Sequence, residues 1–321
     1  MIEVSNLSVS FGAAQALRQA SLTLRPGDRL GVVGESGSGK SMLGLCLMGM
    51  APDAAVLTGT IRIDGTDLAG APDAVWQQYR ARRVAMIFQE PMAALNPLRR
   101  IGDTVMEPLR VHEGLDRDAA QARALALFQE VGIPDPVARM RQFPHEISGG
   151  QRQRVLIALA LACNPGLLIA DEPTTALDAN VALRIMDLLV RLAEQRQMAL
   201  VFISHDLAAV ARTTTDIAVM YGGDIVERGP TAQVLANPRH PYTQGLLAAR
   251  PGFGTRFGAD NRHPDGSRKR LATIPGSVPP LTQLPQGCRF SGRCPVELPV
   301  CAATRPALSD GAICHRLEAA A

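Results

Sequence analysis

The stretch GESGSGKS at 34–41 constrains this chain more than any other part of it. It fits the pattern GxxxxGK[ST], with the strand-like RLGVV before it and the helix-like MLGLCLMGM after it. That strand–loop–helix setting is what a phosphate-cradling loop requires. Glycines allow successive backbone N–H groups to wrap an anion, and the helix N-terminus adds positive potential. Lys40 is placed to reach the β- and γ-phosphates of a nucleotide and Ser41 to hold Mg²⁺. Gly34, Glu35, Ser36, Gly37, Ser38, Gly39, Lys40 and Ser41 are therefore candidate nucleotide-binding residues. A Gly/Ser-rich turn with an exposed lysine is the bland alternative, and it leaves the flanking pattern unexplained.

The rest of the chain alternates in the same manner. RLGVVG (29–34), VAMIFQ (84–89), LLIADE (167–172) and ALVFISH (199–205) are short β-rich runs, and helical patterns precede the last two. Such alternation predicts an α/β fold with substantial parallel pairing. Between Gln89 and Ser148 the character changes: DRDAAQARALALFQEVGI at 116–133 is Ala-rich and helical, which predicts a helical insertion at about 98–160. After about residue 250 the composition turns to Pro, Gly and Arg, the look of a linker or irregular appendage. A boundary is therefore expected near 255, giving a unit at 1–255 and a smaller one at 256–321.

LLIADEP at 167–173 is an apolar strand ending in two acids, which would project into the crevice where α/β sheets bind ligands. Alone, such a pair is more often a solvated strand end. Beside a phosphate loop, Asp171 is expected in the Mg²⁺ shell, with Glu172 as the general base that polarises water. ISGGQRQR at 147–154 is more discriminating still: Ser148 is placed as an N-cap, and an apolar helix from Val155 to Cys163 follows. A Ser-Gly-Gly helix start is a second anion site, more than one nucleotide needs.

Taken in order, GESGSGKS, ISGGQRQR, LLIADEP and ISHD resemble the nucleotide-binding subunit of ABC transporters. The resemblance implies a P-loop ABC ATPase core with a mainly parallel sheet, an antiparallel N-terminal β region and a helical subdomain. It further implies two such cassettes facing head to tail, with each ATP between one P-loop and the other cassette's Ser148, Gly149, Gly150 and Gln151. His205 would then be the switch histidine, Gln89 the residue linking Mg²⁺ to the membrane subunit, and Asp178 a D-loop residue organising the interface. Mg²⁺ would be held through Ser41, Gln89 and Asp171. Phe11 sits where the family stacks an aromatic on adenine. A lone Phe or His is more often a core or surface residue, and only the matching register favours these roles.

MIFQEPMAALNP (86–97), NPRHPYTQGLL (237–247) and the cysteine-bearing C-terminus resemble the branch serving dipeptide, oligopeptide and nickel importers. That branch implies two permease subunits, a second and often paralogous ATPase, a solute-binding protein, and a peripheral place on the cytoplasmic face of the bacterial inner membrane. Peptide is the expected cargo, with nickel or another small solute as alternatives.

Four of the six cysteines, Cys288, Cys294, Cys301 and Cys314, fall in the last 34 residues. Their gaps are looser than zinc knuckles use. Arg289 and Arg293 would favour thiolates, and members of the branch are understood to hold a [4Fe-4S] cluster in this segment. A cluster or other metal, buried thiols and disulfides all stay open. Cys46 and Cys163 read as core residues.

Other classes fare less well. The net charge of +3 is modest and spread out, which gives no electrostatic case for nucleic acid. The N-terminus MIEVSNLSVSFG is a poor secretory signal, so the mature chain is expected to start there. The most apolar run, at 155–170, is interrupted by Asn164 and Pro165 and falls short of the roughly 20 residues a membrane span takes. A soluble or peripheral cytosolic protein is expected, and a reducing cytosol disfavours structural disulfides. A soluble ABC protein of translation would carry two ATPase units, and one of DNA repair a long coiled coil. A standalone P-loop kinase or GTPase would leave Ser148–Gln151 unexplained.

Overall fold

The computed structural model describes residues 1–89, 94–175, 177–249 and 273–318. The Pro/Gly/Arg-rich linker and the boundary expected near 255 lie outside these residues, as do Glu90 to Ala93 and Ala176.

Two strands show how the main sheet is built. In β7 (Leu167–Asp171) and β8 (Ala199–Ile203) every residue is buried, the signature of central parallel strands covered on both faces. Their alternation divides them between two cores. Leu167, Ile169, Ala199, Val201 and Ile203 face one, and Leu168, Ala170, Leu200 and Phe202 face the other. The first core is closed by the helix Lys40–Leu47 and by a four-stranded antiparallel sheet in the order β2-β1-β4-β5: Ala14–Leu24, Ile2–Phe11, Val56–Ile63 and Thr66–Asp67. The second is closed by the helix Ala179–Arg196, whose Ile185, Leu188, Leu189 and Leu192 form an apolar stripe, and by the helices preceding β7. Each fully buried Leu or Ile contributes about 1.5–3 kcal/mol relative to exposure.

The eight-stranded sheet, with β11 at Leu308–Ser309 and β12 at Ala312–Ile313, runs β11-β12-β10-β9-β3-β8-β7-β6. Here β3 is Arg29–Val33, β6 Val84–Ile87, β9 Asp216–Tyr221 and β10 Asp224–Pro230. The pairings β6–β7, β7–β8, β8–β3 and β3–β9 are parallel. The loops after β3, β6, β7 and β8 therefore open at one edge of neighbouring strands, where open α/β sheets place their ligands.

Between β6 and β7 the described chain is helical: Ile101–Glu113, Arg117–Glu130, Pro136–Arg139 and Gly149–Ala160. Asp116 caps the second by accepting from Ala119 N–H at 2.8 Å.

The cysteine-rich segment builds no core of its own. Its hairpin β11 (Leu308–Ser309) and β12 (Ala312–Ile313) extends the main sheet through β10, and Phe290 and Ile313 enter the main core. Phe290 packs edge-on against Tyr221 and Tyr242. Fully buried Asp224 takes Arg18 of β2 on one side and Arg305 of the segment on the other, while Arg18 also donates to the carbonyls of Gln286 and Gly287. Among the described residues no helix is long and apolar enough to cross a membrane.

Candidate active site

The loop 34–41 follows β3, and Gly34 and Gly39 are sterically required in it. Gly34 has φ +154°, and a Cβ there would lie 2.1 Å from the Met220 carbonyl of β9. Gly39, at φ +99°, would place one 2.7 Å from the Ala16 carbonyl. Lys40 opens the following helix and is buried, with Nζ donating to the carbonyls of Gly34 (2.8 Å) and Glu35 (3.0 Å). Burial pushes its pKa down, against the pull of Glu172, Asp171 and Glu35. The Ser38 hydroxyl is buried without a partner.

A cleft of about 490 Å³ opens here. Ser36, Gly37, Gly39, Lys40 and Ser41 line one side, and Gln89, Glu172 and His205, from the ends of β6, β7 and β8, line the other. Residues far apart in sequence are thus brought together by the parallel strand order.

Glu172 adopts a left-handed conformation, φ +47°, uncommon for a non-glycine residue and concentrated at functional sites. Its backbone N–H donates to the Ile203 carbonyl at 2.9 Å. Its carboxylate is surrounded: Gln89 Nε2 donates to Oε2 at 3.2 Å, Thr175 Oγ1 to the same oxygen at 3.0 Å, and His205 Nδ1 stands 3.1 Å from Oε1. Burial opposes ionisation, but hydrogen bonds from His205 and Thr175, with the charges of His205 and Lys40, hold the pKa below the usual carboxylate range. Neighbouring Asp171 behaves oppositely. Burial raises its pKa against a hydrogen bond from Ser41, and its Oδ1 is buried with no partner. An orphaned carboxylate oxygen beside the Ser41 hydroxyl is the donor set a hard cation takes, so Ser41 and Asp171 fit Mg²⁺.

Ser148, Gly149, Gly150 and Gln151 do not line this cleft. They start the helix Gly149–Ala160 with a capping box: Ser148 Oγ accepts from Gln151 N–H at 3.3 Å, and Gln151 Oε1 accepts from Ser148 N–H at 3.1 Å. Asp178 caps the helix Ala179–Arg196, accepting from Asn180 and Val181 N–H. Phe11 ends β1, half-buried opposite Ala14, outside the residues lining the cleft.

Cys288, Cys294, Cys301 and Cys314 line one residual cavity of about 10 Å³, and all six cysteines are free thiols. The expectation that Arg289 and Arg293 favour thiolates is not met at Cys288 and Cys294. Burial pushes the Cys288 thiol up to about 11, with its three neighbouring cysteines adding to the rise, and burial likewise raises Cys294. The guanidiniums are engaged elsewhere: Arg289 donates to Gln15 and Arg293 pairs with Glu35. Among the described residues no group of three or more His, Cys, Asp or Glu is placed to hold a metal ion. Cys46 and Cys163 are buried, their thiols pushed by burial up to about 12 and about 11.

Sequence reasoning did not find the Arg293–Glu35 contact or the Tyr242 hydroxyl that accepts from Glu35 N–H at 2.8 Å. Both partners come from more than 200 residues away, with no local signal at either end.

Residues 17–175 match the family model for the ABC transporter, and 226–301 match that for the oligopeptide/dipeptide transporter C-terminal region. A probable D,D-dipeptide transport ATP-binding protein, DdpD of Escherichia coli K12, is 45% identical over 92% of this chain and 88% of its own. The dipeptide transport ATP-binding protein DppD of the same organism is 42% identical over 96% and 93%. Among solved structures, the dimeric ATP-binding cassette MJ0796 in a post-hydrolysis state bound to ADP and Pi superposes with a TM-score of 0.63 at 28% identity, covering 72% of this chain and 99% of that one. The chain thus belongs to the ABC transporter family, as an ATP-hydrolysing cassette with its α/β fold. Within that family it carries the C-terminal region of the oligopeptide and dipeptide transporters.

Proposed function

We propose that this chain drives import of dipeptides or oligopeptides by hydrolysing ATP with Glu172 as general base. The observation that carries the hydrolytic part is the pair of opposed acids at the end of β7. Glu172 is held ionised by hydrogen bonds from His205 and Thr175 and by the nearby charges of His205 and Lys40, while Asp171 keeps a buried oxygen unpartnered. The peptide part is supported by the C-terminal family match and by relatives named for dipeptide transport.

In this reading Phe11 stacks on adenine, and Gly34 to Ser41 wrap the phosphates. Lys40 exchanges its two loop carbonyls for phosphate oxygens when ATP arrives. Glu172 accepts a proton from water, the water oxygen bonds to the γ-phosphorus, and the bond to the β–γ bridging oxygen breaks, leaving ADP and phosphate. His205 positions the Glu172 carboxylate. Mg²⁺, held by Ser41, Asp171 and Gln89, would neutralise charge on the β- and γ-oxygens. Ser148, Gly149, Gly150 and Gln151 of a second ATPase, a paralogue or a copy of this chain, close the site from across the interface, with Asp178 at that interface. Closure that binds ATP more tightly than the open state shifts the attached permease subunits between conformations. The working unit is two such cassettes on two permease subunits at the cytoplasmic face of the inner membrane, fed by a solute-binding protein. Residues 1–255 form the cassette and 256–321 its C-terminal extension.

We also assign Cys288, Cys294, Cys301 and Cys314 as candidate ligands of a [4Fe-4S] cluster, supported by their convergence on one cavity. The cavity, about 10 Å³, must open to admit it, and the thiols as they stand do not form a metal-holding group. No step of hydrolysis is routed through it. Anaerobic purification with visible spectroscopy and iron and sulfide analysis decides this: a colourless, iron-free protein rejects the cluster.

The peptide assignment is tested by co-expressing the chain with its neighbouring transporter genes and measuring ATPase stimulation by a panel of dipeptides, oligopeptides and nickel. Stimulation by nickel and not by peptides moves the cargo to the metal.

A further inference from the structure

The cysteine segment reaches into the phosphate loop through one side chain. Arg293, between Cys288 and Cys294 in sequence, has a nearly buried guanidinium with every N–H direction engaged. Nε donates to the Pro275 carbonyl at 2.8 Å. Nη1 donates to Glu35 Oε2 at 2.9 Å and to the Tyr221 hydroxyl at 3.2 Å. Nη2 donates to Glu35 Oε1 and to the Gly276 carbonyl, both at 3.2 Å. The carboxylate is gripped by both prongs of the fork, the geometry in which arginine is most specific.

Glu35 is the second residue of the loop that Lys40 closes, and it is pinned on its other sides as well. Its N–H donates to Tyr242, and its carbonyl accepts from Lys40 Nζ at 3.0 Å and from Ser38 N–H at 3.2 Å. A carboxylate in a loop meant for a polyanion repels its ligand unless it is neutralised. The only cation in ion-pair contact with it among the described residues is Arg293, contributed by the C-terminal segment and not by the strand–loop–helix itself.

We propose that Arg293 is a positioning residue for ATP binding, acting through Glu35: it cancels the Glu35 charge and fixes the start of the phosphate loop, so that the C-terminal cysteine segment sets the affinity of the cassette for nucleotide. This rests on reading 34–41 as the phosphate loop. A buried ion pair adds little net stability, so a purely fold-supporting role predicts a different pattern of variants.

The test is Mg-ATP affinity and steady-state hydrolysis of the full chain. Arg293→Met is expected to raise Kd and KM for ATP about tenfold while leaving kcat at saturating ATP within about twofold. Arg293→Lys, which keeps the charge but not the fork, is expected to fall between wild type and Arg293→Met. Adding Glu35→Gln to Arg293→Met is expected to recover most of the affinity, because the two act as one coupled pair. If Arg293→Met alone is insoluble, the double variant is compared with Glu35→Gln: equal affinities support the coupling, and a further tenfold loss on the order of that above contradicts it. Wild-type affinity in Arg293→Met, or Arg293→Lys and the double variant as weak as Arg293→Met, overturns the proposal. Lys40→Ala separates the two levels: if it binds ATP normally, the phosphate-loop reading itself fails, whereas a defect there without one in Arg293→Met removes only the role of Arg293.

Discussion

The Gln89 amide donates to Glu172 Oε2 at 3.2 Å although 83 residues separate the two in sequence. Gln89 follows the edge strand β6, next to the helical insertion, and Glu172 follows its neighbour β7. In the reading proposed above, a shift of the helical region against the sheet would reach this carboxylate through Gln89.

Gln89→Ala should slow single-turnover hydrolysis at saturating Mg-ATP about tenfold, the scale of a lost hydrogen bond to a charged group. Quenched-flow measurement of phosphate formation checks this, and an unaltered rate would show that the contact has no part in the chemistry.

Replacing Glu172 with Gln keeps the shape and removes the base. Turnover should fall by about 10²–10⁴-fold with ATP still bound, and the chain should accumulate as an ATP-stabilised dimer on size-exclusion chromatography. Persistent hydrolysis in Glu172→Gln would remove Glu172 from its role.

The pH response has a defined sign. The folded-state pKa of Glu172 is depressed, so the ionised form and its stabilising hydrogen bonds are fully present above the ordinary carboxylate range and are lost as pH falls through the lowered value. His205→Ala removes the hydrogen bond and charge that oppose burial, so the acid limb of the kcat profile should move to higher pH. An unmoved limb in that variant would mean that His205 does not tune Glu172.

Asp224→Ala should be severely destabilising. It leaves Arg18 and Arg305 without the buried carboxylate that joins β2 to the C-terminal segment, a loss of about 3–5 kcal/mol. Urea unfolding followed by tyrosine and tryptophan fluorescence measures it, and limited proteolysis should show the segment after 273 released first.

Much of this was readable in the sequence for local reasons. The runs at β3, β6, β7 and β8 carry continuous apolar patterning, and each ends in a residue whose type declares its chemistry: Gly34, Gln89, Asp171 with Glu172, and His205. Ser148 was readable as an N-cap because the capping box is a four-residue pattern. The two-residue strands β11 and β12 show no period, so their addition to the main sheet was invisible. The arginines misled for a related reason. Arg293 lies beside Cys294 in sequence, but its partner Glu35 is 258 residues away, and only the fold decides which neighbour wins. The left-handed backbone of Glu172 likewise had no signal, since nothing in a strand-like run announces a non-glycine residue at positive φ.

The most direct measurement is ATP hydrolysis by the chain assembled with its permease subunits in liposomes, with and without peptide-loaded solute-binding protein. Hydrolysis should rise when peptide is supplied and vanish with Glu172→Gln. A rate indifferent to every peptide, or one that survives Glu172→Gln, would contradict a peptide importer driven by this site.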